Sequence, residues 1–391
     1  MTRDEIRDEI LKITSPHILC ELPTSMGKTR IAIERIVQKN IQPQKLLVVI
    51  PRLVLIDTWK DEFDKWGHPE YKECKFVTYV SFPKLGGKWD FIIFDECHHL
   101  SMRCMEALPA YRFKYSMMLS ATVKLETKYL FRTLFKETIT FYKYNVRQAT
   151  DEGILPDPKV YLIPIHLKNS PSTYEIIHNP KMGNPMVCFY KDRFTARRIK
   201  NRKIVIRCSQ REYYADMSGL IEFYKRKSFN NPVLKNTFLR KSGERLKWLS
   251  DEKTEFVKQI LAKISSERTL TFCNGIAQTE ELGTYCINSK NKESDDNLEA
   301  FNNGTIDHIT ACNMLDEGVN LVNCRIGVYA TLNASDRMIV QKLGRLLRHP
   351  DPIIIIPYYR FTRDEEIVEK MCKNYNKDLV TVIKNLDDLK L

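Results

Sequence analysis

The chain has 391 residues, 43% hydrophobic and 28% charged, with 62 Lys+Arg against 49 Asp+Glu and a formal net charge of +13. That length allows two or three domains, each with its own core. No apolar run approaches membrane-spanning length and the opening MTRDEIRDEI is charged, which disfavours a membrane segment or an export signal. The 11 cysteines are scattered with no C-x-x-C pair, so disulfides and zinc are not expected and a reducing, cytoplasmic setting fits best.

In chain order, His17–Leu22 reads as a strand and Arg30–Gln38 as a helix, with the loop Pro23-Thr24-Ser25-Met26-Gly27-Lys28-Thr29 between them. A glycine-bearing loop between a strand and a helix suits phosphate: backbone N–H groups and the helix N-terminus face the anion. Lys28 would reach the outer phosphates and the Thr29 hydroxyl would hold Mg²⁺. The strict pattern also wants glycine where Leu22 stands, so this loop alone is a weakened match.

Leu46–Ile50, Phe91–Phe94 and Met117–Ser120 read as further strands, each a short apolar run that ends at a polar loop. Such runs predict a buried parallel α/β sheet, with ligands where strands give way to loops. Asp95-Glu96 follows the second of these runs. Asp95 would bind the magnesium and Glu96 would orient and deprotonate an attacking water. Cys97, His98 and His99 suggest a metal cluster, but three adjacent residues cannot converge on one ion and no second ligand group lies at a suitable spacing.

From about Asp151 to Lys247 the composition changes. The segment holds Pro156, Pro158, Pro171 and Pro180, then a basic run with interleaved Tyr213, Tyr214, Phe223 and Tyr224. Between Lys181 and Lys247 there are 18 Lys+Arg and 5 Asp+Glu, a difference of +13; the rest of the chain, 44 against 44, is neutral. A polyanion is the expected partner, because neutralised phosphates release counterions. Arg197, Arg198, Arg202 and Lys203 are candidate contacts, and the tyrosines either stack on bases or form core. From about Glu252 the α/β rhythm returns with expected strands at Leu270–Cys273, Ile309–Cys312, Ile326–Tyr329 and Ile353–Ile356, then a helical tail over Asp364–Leu391.

Taken with QKLGRLLR at Gln341–Arg348, the ordered set resembles a superfamily 2 helicase of the DEAD/DEAH-like group. Pro23–Thr29 resembles motif I, with Ser25 where glycine is commoner. Pro51-Arg52 with Leu55 and Trp59 resembles motif Ia, and Thr78-Tyr79 with Ser81 the segment after it. Asp95-Glu96-Cys97-His98 is a DECH form of motif II and Ser120-Ala121-Thr122 is motif III. Thr271-Phe272-Cys273-Asn274 resembles motif IV, Leu315–Leu321 motif V, and Gln341–Arg348 motif VI.

The resemblance implies two RecA-like P-loop domains, residues 1–150 and 251–391, with the linker and basic insertion at 151–250. ATP would sit between them with Mg²⁺, held by the motif I loop, Thr29, Asp95, His98, Gly318 and Asn320. Lys28, Asp95, Glu96, Gln341, Arg345 and Arg348 would be catalytic, the arginines reaching across from the second lobe. Pro51, Arg52, Thr78, Phe272 and Asn274 match positions that touch a nucleic-acid backbone in relatives.

The compact chain, the serine-bearing motif I and the DECH box resemble bacteriophage or restriction-type DNA helicases. They imply work on forked, branched or duplex DNA in recombination or repair, in a bacterial or phage-infected cell, with no obligate protein partner evident. RNA helicase activity is the alternative within the class. An ATP-gated nucleic-acid clamp with little turnover, or a P-loop ATPase unrelated to nucleic acid, would be different classes.

Overall fold

The computed structural model describes residues 1–136, 138–170, 174–178, 197–200, 203–229, 231–312, 321, 324–332, 346, 348–389 and 391, with 174–178, 197–200 and 203–207 as backbone strands only. The first sheet and its neighbourhood contain β1 (His17–Glu21), β2 (Leu46–Ile50), β3 (Lys75–Thr78), β4 (Gly87–Lys88), β5 (Phe91–Phe94), β6 (Tyr111–Arg112), β7 (Tyr115–Ser120) and β8 (Ile139–Lys143). Six of these form one sheet in the order β3-β2-β5-β7-β1-β8, with every neighbouring pair parallel. All residues of β2 and β5 are buried, as strands covered on both faces require.

Helices supply the cover at helical spacing. Lys28–Gln38 buries Ile31, Ala32, Ile33 and Ile36, and Leu55–Lys65 buries Leu55, Trp59 and Phe63. Because β5, β7 and β1 are adjacent and parallel, the loops after Phe94, Ser120 and Glu21 leave the same edge of the sheet. That is where this architecture binds ligands.

The second lobe begins earlier than the sequence suggests. β9 (Lys159–Ile165) falls in the segment read as linker and insertion, yet it pairs with two strands from the far end of the chain. Its run KVYLIPI follows two other prolines and holds Pro164, which lies beyond the stretch Val160–Leu162 that pairs with the last strand of the sheet, so turn chemistry hid an interior strand. Next come β10 (Tyr174–His178), β11 (Arg197–Lys200) and β12 (Lys203–Cys208), a separate antiparallel sheet ordered β10-β12-β11. Two helices, Gln210–Lys227 and Pro232–Glu252, then form a hairpin.

β13 (Thr269–Phe272), β14 (Cys286–Ile287), β15 (His308–Ala311), β16 (Ile326–Tyr329), β17 (Ile353–Tyr359) and β18 (Val380–Val382) complete the parallel second sheet, ordered β14-β15-β13-β16-β17-β9-β18. The expected helical tail is α-helical over Arg363–Cys372, with short 3-10 turns at Lys377–Leu379 and Leu386–Asp388. The chain then returns through β18, so a sheet strand replaces the rest of that helix. Gly327 in β16 has a specific purpose: a Cβ there would collide with the Leu346 side chain. Its absence lets the fully buried Leu346 side chain lie against the sheet.

Candidate nucleotide site

Between β1 and the helix Lys28–Gln38 the backbone turns through left-handed conformations at Ser25 (φ 70°) and Gly27 (φ 74°). Gly27 faces open space, so conformation rather than room makes glycine the fitting residue there. Ser25 adopts the same region at a strain of about 1 kcal/mol, the usual order for a side chain held there. The helix starts at Lys28 with no side-chain cap and no acid in its first turn, leaving its N–H groups and positive end for an anion. Thr24 Oγ1 is buried without a hydrogen-bond partner. An orphaned polar atom beside an uncapped helix end fits a site completed by a phosphate ligand.

Lys28 Nζ donates to the Leu22 carbonyl at 3.3 Å and lies 3.6 Å from Glu96 Oε1. Glu96 itself has left-handed backbone (φ 48°), the turn that points motif II back across the sheet edge. Its other oxygen is 3.3 Å from His98 Nδ1 and 3.5 Å from Ser120 Oγ. The His98 ring nitrogen and Ser120 Oγ are 2.9 Å apart, and Ser120 Oγ donates to the Thr122 carbonyl at 3.0 Å. One ion pair and a run of hydrogen bonds therefore link the phosphate loop, Glu96 and the Ser120–Thr122 turn.

Asp95 is held from behind. Trp59, fully buried, donates its indole N–H to Asp95 Oδ2 at 2.9 Å, and the Tyr79 hydroxyl donates to the Asp95 carbonyl at 2.7 Å. Displaced water and the adjacent Glu96 charge push the Asp95 carboxyl up to about 6, against the pull of Trp59 and Lys28. A divalent cation would reverse that balance, so the pair fits a metal it would share with a phosphate. Thr29 stands one residue beyond Lys28 at the same mouth.

The cleft holds about 500 Å³ and is lined by Thr24 to Ile31, Asp95, Glu96, Trp59 and Arg348. Arg348 comes from the other lobe, and its Nε lies 3.4 Å from Ser25 Oγ. Behind it, Asp351 is pinned by Lys159 Nζ at 3.0 Å and Arg325 Nη2 at 3.2 Å, which anchors the turn carrying Arg348 to the second sheet.

Of the sequence-derived residues, Thr24, Ser25, Met26, Gly27, Lys28, Thr29, Asp95, Glu96 and Arg348 thus gather at one cleft, His98 joins them through Glu96 and Ser120, and buried Pro23 leads into the loop without lining the cleft. Gly318, Asn320, Gln341, Arg345 and Arg202 lie outside the described residues. Pro51 and exposed Arg52 follow β2, and Thr78 ends β3. Asn274 follows β13, but Phe272 is only 2% exposed and packs on Tyr329 with ring centroids 4.8 Å apart. Its side chain is core, which corrects the expectation that it touches nucleic acid. Arg197 and Arg198 sit on β11 and Lys203 opens β12.

Tyr213 and Tyr214 both pack on Trp248, so they belong to the hairpin's own core rather than to a stacking platform. Sequence reasoning missed the Trp59 and Tyr79 hydrogen bonds and the cleft wall of Arg3, Asp4, Arg7, Lys65 and Trp66. The charged N-terminal helix was the available signal for that wall. Among the described residues no cluster of His, Cys, Asp and Glu has the makings of a separate metal centre.

Residues 252–350 match the family model described as helicase conserved C-terminal domain, and residues 4–83 match that of the type III restriction enzyme res subunit. The two matches fall on the two lobes and support a superfamily 2, DEAD/DEAH-like helicase. A DNA 3'-5' translocase XPB2 of Sulfurisphaera tokodaii is 22% identical over 357 residues, covering 84% of this chain and 74% of that protein.

Among solved structures, Saccharomyces cerevisiae Dbp5 bound to RNA and ADP BeF3 superposes with a TM-score of 0.57 at 11% identity, covering 98% of this chain and 90% of that one. The Pyrococcus furiosus Hef helicase domain gives 0.52 at 15% identity, covering 94% and 98%. At those identities the likeness concerns the fold: two helicase lobes of parallel sheet. Among the described residues no helix is long and apolar enough to cross a membrane.

Proposed function

We propose that this superfamily 2 helicase is an ATP-driven DNA translocase that remodels forked or branched DNA. The observation that carries the ATP-driven part is the meeting of Lys28, Glu96 and Arg348 at one cleft wall between two lobes. Lys28 and the uncapped helix end would take the phosphates, Thr29 and Asp95 would hold Mg²⁺, and Glu96 would orient and deprotonate the water. The magnesium supplies neutralisation of charge on the phosphate oxygens. Arg348, with Arg345 and Gln341, would stabilise charge developing on the transferred phosphoryl group, so that turnover depends on lobe closure. His98 and Ser120 would relay the state of Glu96 to the turn after β7.

DNA is preferred over RNA because the restriction-type family match and the similar translocase both concern DNA, whereas the RNA-bound neighbour is alike in fold only. Pro51, Arg52, Thr78 and Asn274 would contact the strand through its backbone, with Arg197, Arg198, Arg202 and Lys203 adding charge. A role in recombination or repair in a bacterial or phage-infected cell belongs to the same reading. Steady-state ATPase assays with single-stranded, duplex and branched DNA and with RNA test it. Branched or duplex DNA should stimulate most; stimulation by RNA alone would make the protein an RNA helicase.

A further inference from the structure

The helical hairpin Gln210–Glu252 takes no part in the cleft. At its base it is firmly attached to the second lobe. Buried Ser250 donates to the Ala330 carbonyl at 3.1 Å and bonds Gln278 at 2.9 Å, and the Tyr214 hydroxyl accepts from the Arg363 N–H at 2.7 Å. Near that base, Trp248 packs against both Tyr213 and Tyr214, and Arg245 lies over the Tyr214 ring. The first helix has 18 residues, so the tip stands about 27 Å from the base at the usual helical rise.

Hydrogen bonds also close both helix ends at the tip. The Ser228 N–H caps the first helix by donating to the Tyr224 carbonyl at 2.8 Å, and Asn231 Oδ1 accepts from Val233 N at 3.0 Å and Leu234 N at 3.3 Å. Pro232 occupies the first turn of the second helix. Phe229 stands between these two caps and is 93% exposed, with Val233 beside it at 72%. Phe229 is thus exposed beside two capped helix ends rather than at a frayed one.

Charge is polarised along the same element. Glu222 to Lys241, the tip half, has 6 Lys+Arg and 1 Asp+Glu; the remainder of 210–252 has 3 against 5. Lys225 and Arg226 share the single Glu222, Arg240 and Lys241 share Glu244, and Lys227 lies over the Phe223 ring. An aromatic ring presented bare on a rigid cationic tip matches a nucleobase face flanked by phosphates. A membrane would instead call for a long apolar helix face.

We infer that Phe229 is a stacking wedge: it packs on the exposed base at the junction of single and double strand, while Lys225, Arg226 and Lys227 hold the adjoining phosphates. The inference rests on the proposed action on nucleic acid and adds the residue and the strand structure it meets. The test compares wild type, Phe229→Ala and Phe229→Trp on a fork with 2-aminopurine at the junction, reading fork unwinding, ATPase stimulated by single strands, and 2-aminopurine quenching.

Phe229→Ala should keep the stimulated ATPase but lose unwinding and junction quenching by about tenfold, the effect of one lost stacked base, and Trp should restore both. If Phe229→Ala unwinds and quenches like wild type, or loses ATPase in proportion to unwinding, the wedge is wrong while the helicase reading stands. If the wild-type chain neither binds the fork nor is stimulated by nucleic acid, both fall together. Binding to a protein partner that Phe229→Ala abolishes, with the fork results unchanged, would likewise reassign the tip.

Discussion

Replacing Glu96 by Gln separates two functions that the structure combines in one side chain. Lys28 Nζ and Glu96 Oε1 are 3.6 Å apart, and the two side chains are 10% and 14% exposed. At an effective dielectric of about 20 the gross attraction over that distance is about 4–5 kcal/mol. Lost hydration and side-chain entropy offset most of it, leaving a net of about 1 kcal/mol. An incoming nucleotide has to draw Lys28 away from Glu96 and then sit beside that carboxylate.

Glu96→Gln removes both penalties while keeping the shape and the contacts to His98 and Ser120. ATP affinity should therefore stay equal or rise, by about five- to tenfold for a net of that size. Hydrolysis should fall by about 10²–10⁴-fold as the base is lost. Fluorescent-nucleotide titration measures the first and single-turnover hydrolysis the second. A variant that loses ATP affinity together with turnover would refute the placement of Glu96 as base and as the resting partner of Lys28.

Three further outcomes are expected. Lys28→Ala should abolish turnover and weaken ATP binding, because Arg30, the other cation of that turn, is paired with Glu34 and Asp4; wild-type turnover in that variant would remove the phosphate site from this loop. Trp59→Phe deletes the 2.9 Å indole hydrogen bond to Asp95, and a bond to a charged group contributes about 1.5–3 kcal/mol. The magnesium concentration for half-maximal ATPase should rise about tenfold or more, and thermal denaturation should show a folded protein; an unchanged magnesium requirement would leave Trp59 as packing alone.

Burial lowers His17 and His308 to about 4 from 6.5. The unfolded chain therefore takes up protons that the folded one refuses, and stability is full above about pH 6.5 and declines down to about pH 4, by up to about 3 kcal/mol for His308 and by less for the partly exposed, solvent-screened His17. Urea unfolding across that range measures the slope, and His308→Gln, which still offers Thr271 a hydrogen-bond partner, should flatten it. An equal slope in the variant would contradict the assignment.

The first lobe was largely legible from sequence because its strands are continuous apolar runs that end at polar loops. β2 and β5 have the expected bounds, as does β16 in the second lobe, and Lys28, Asp95, Glu96 and Arg348 line one cleft. What escaped depends on contacts distant in sequence. Trp59 binds an aspartate 36 positions away, and nothing in its helical spacing says that its N–H is used as well as its ring. β9 was masked by its prolines, and its partner strand lies at the other end of the chain.

Phe272 shows the converse error. Its family position suggested contact with nucleic acid, but within a fully buried strand TLTF the side chain can only be core. Phe229 was not singled out because a sequence does not reveal exposure; only the capped turn around it does.

The most direct test of a two-lobe, nucleic-acid-driven motor is stimulated ATPase in wild type beside Arg348→Ala. Arg348 touches Ser25 of the phosphate loop from the opposite lobe, and an arginine supplied across such a cleft accounts for about 10³–10⁵-fold in turnover in related phosphoryl-transfer enzymes. DNA should stimulate the wild type strongly, and Arg348→Ala should bind ATP and DNA yet lose the stimulated rate. An Arg348→Ala protein whose DNA-stimulated turnover matches wild type would contradict a cleft completed by both lobes.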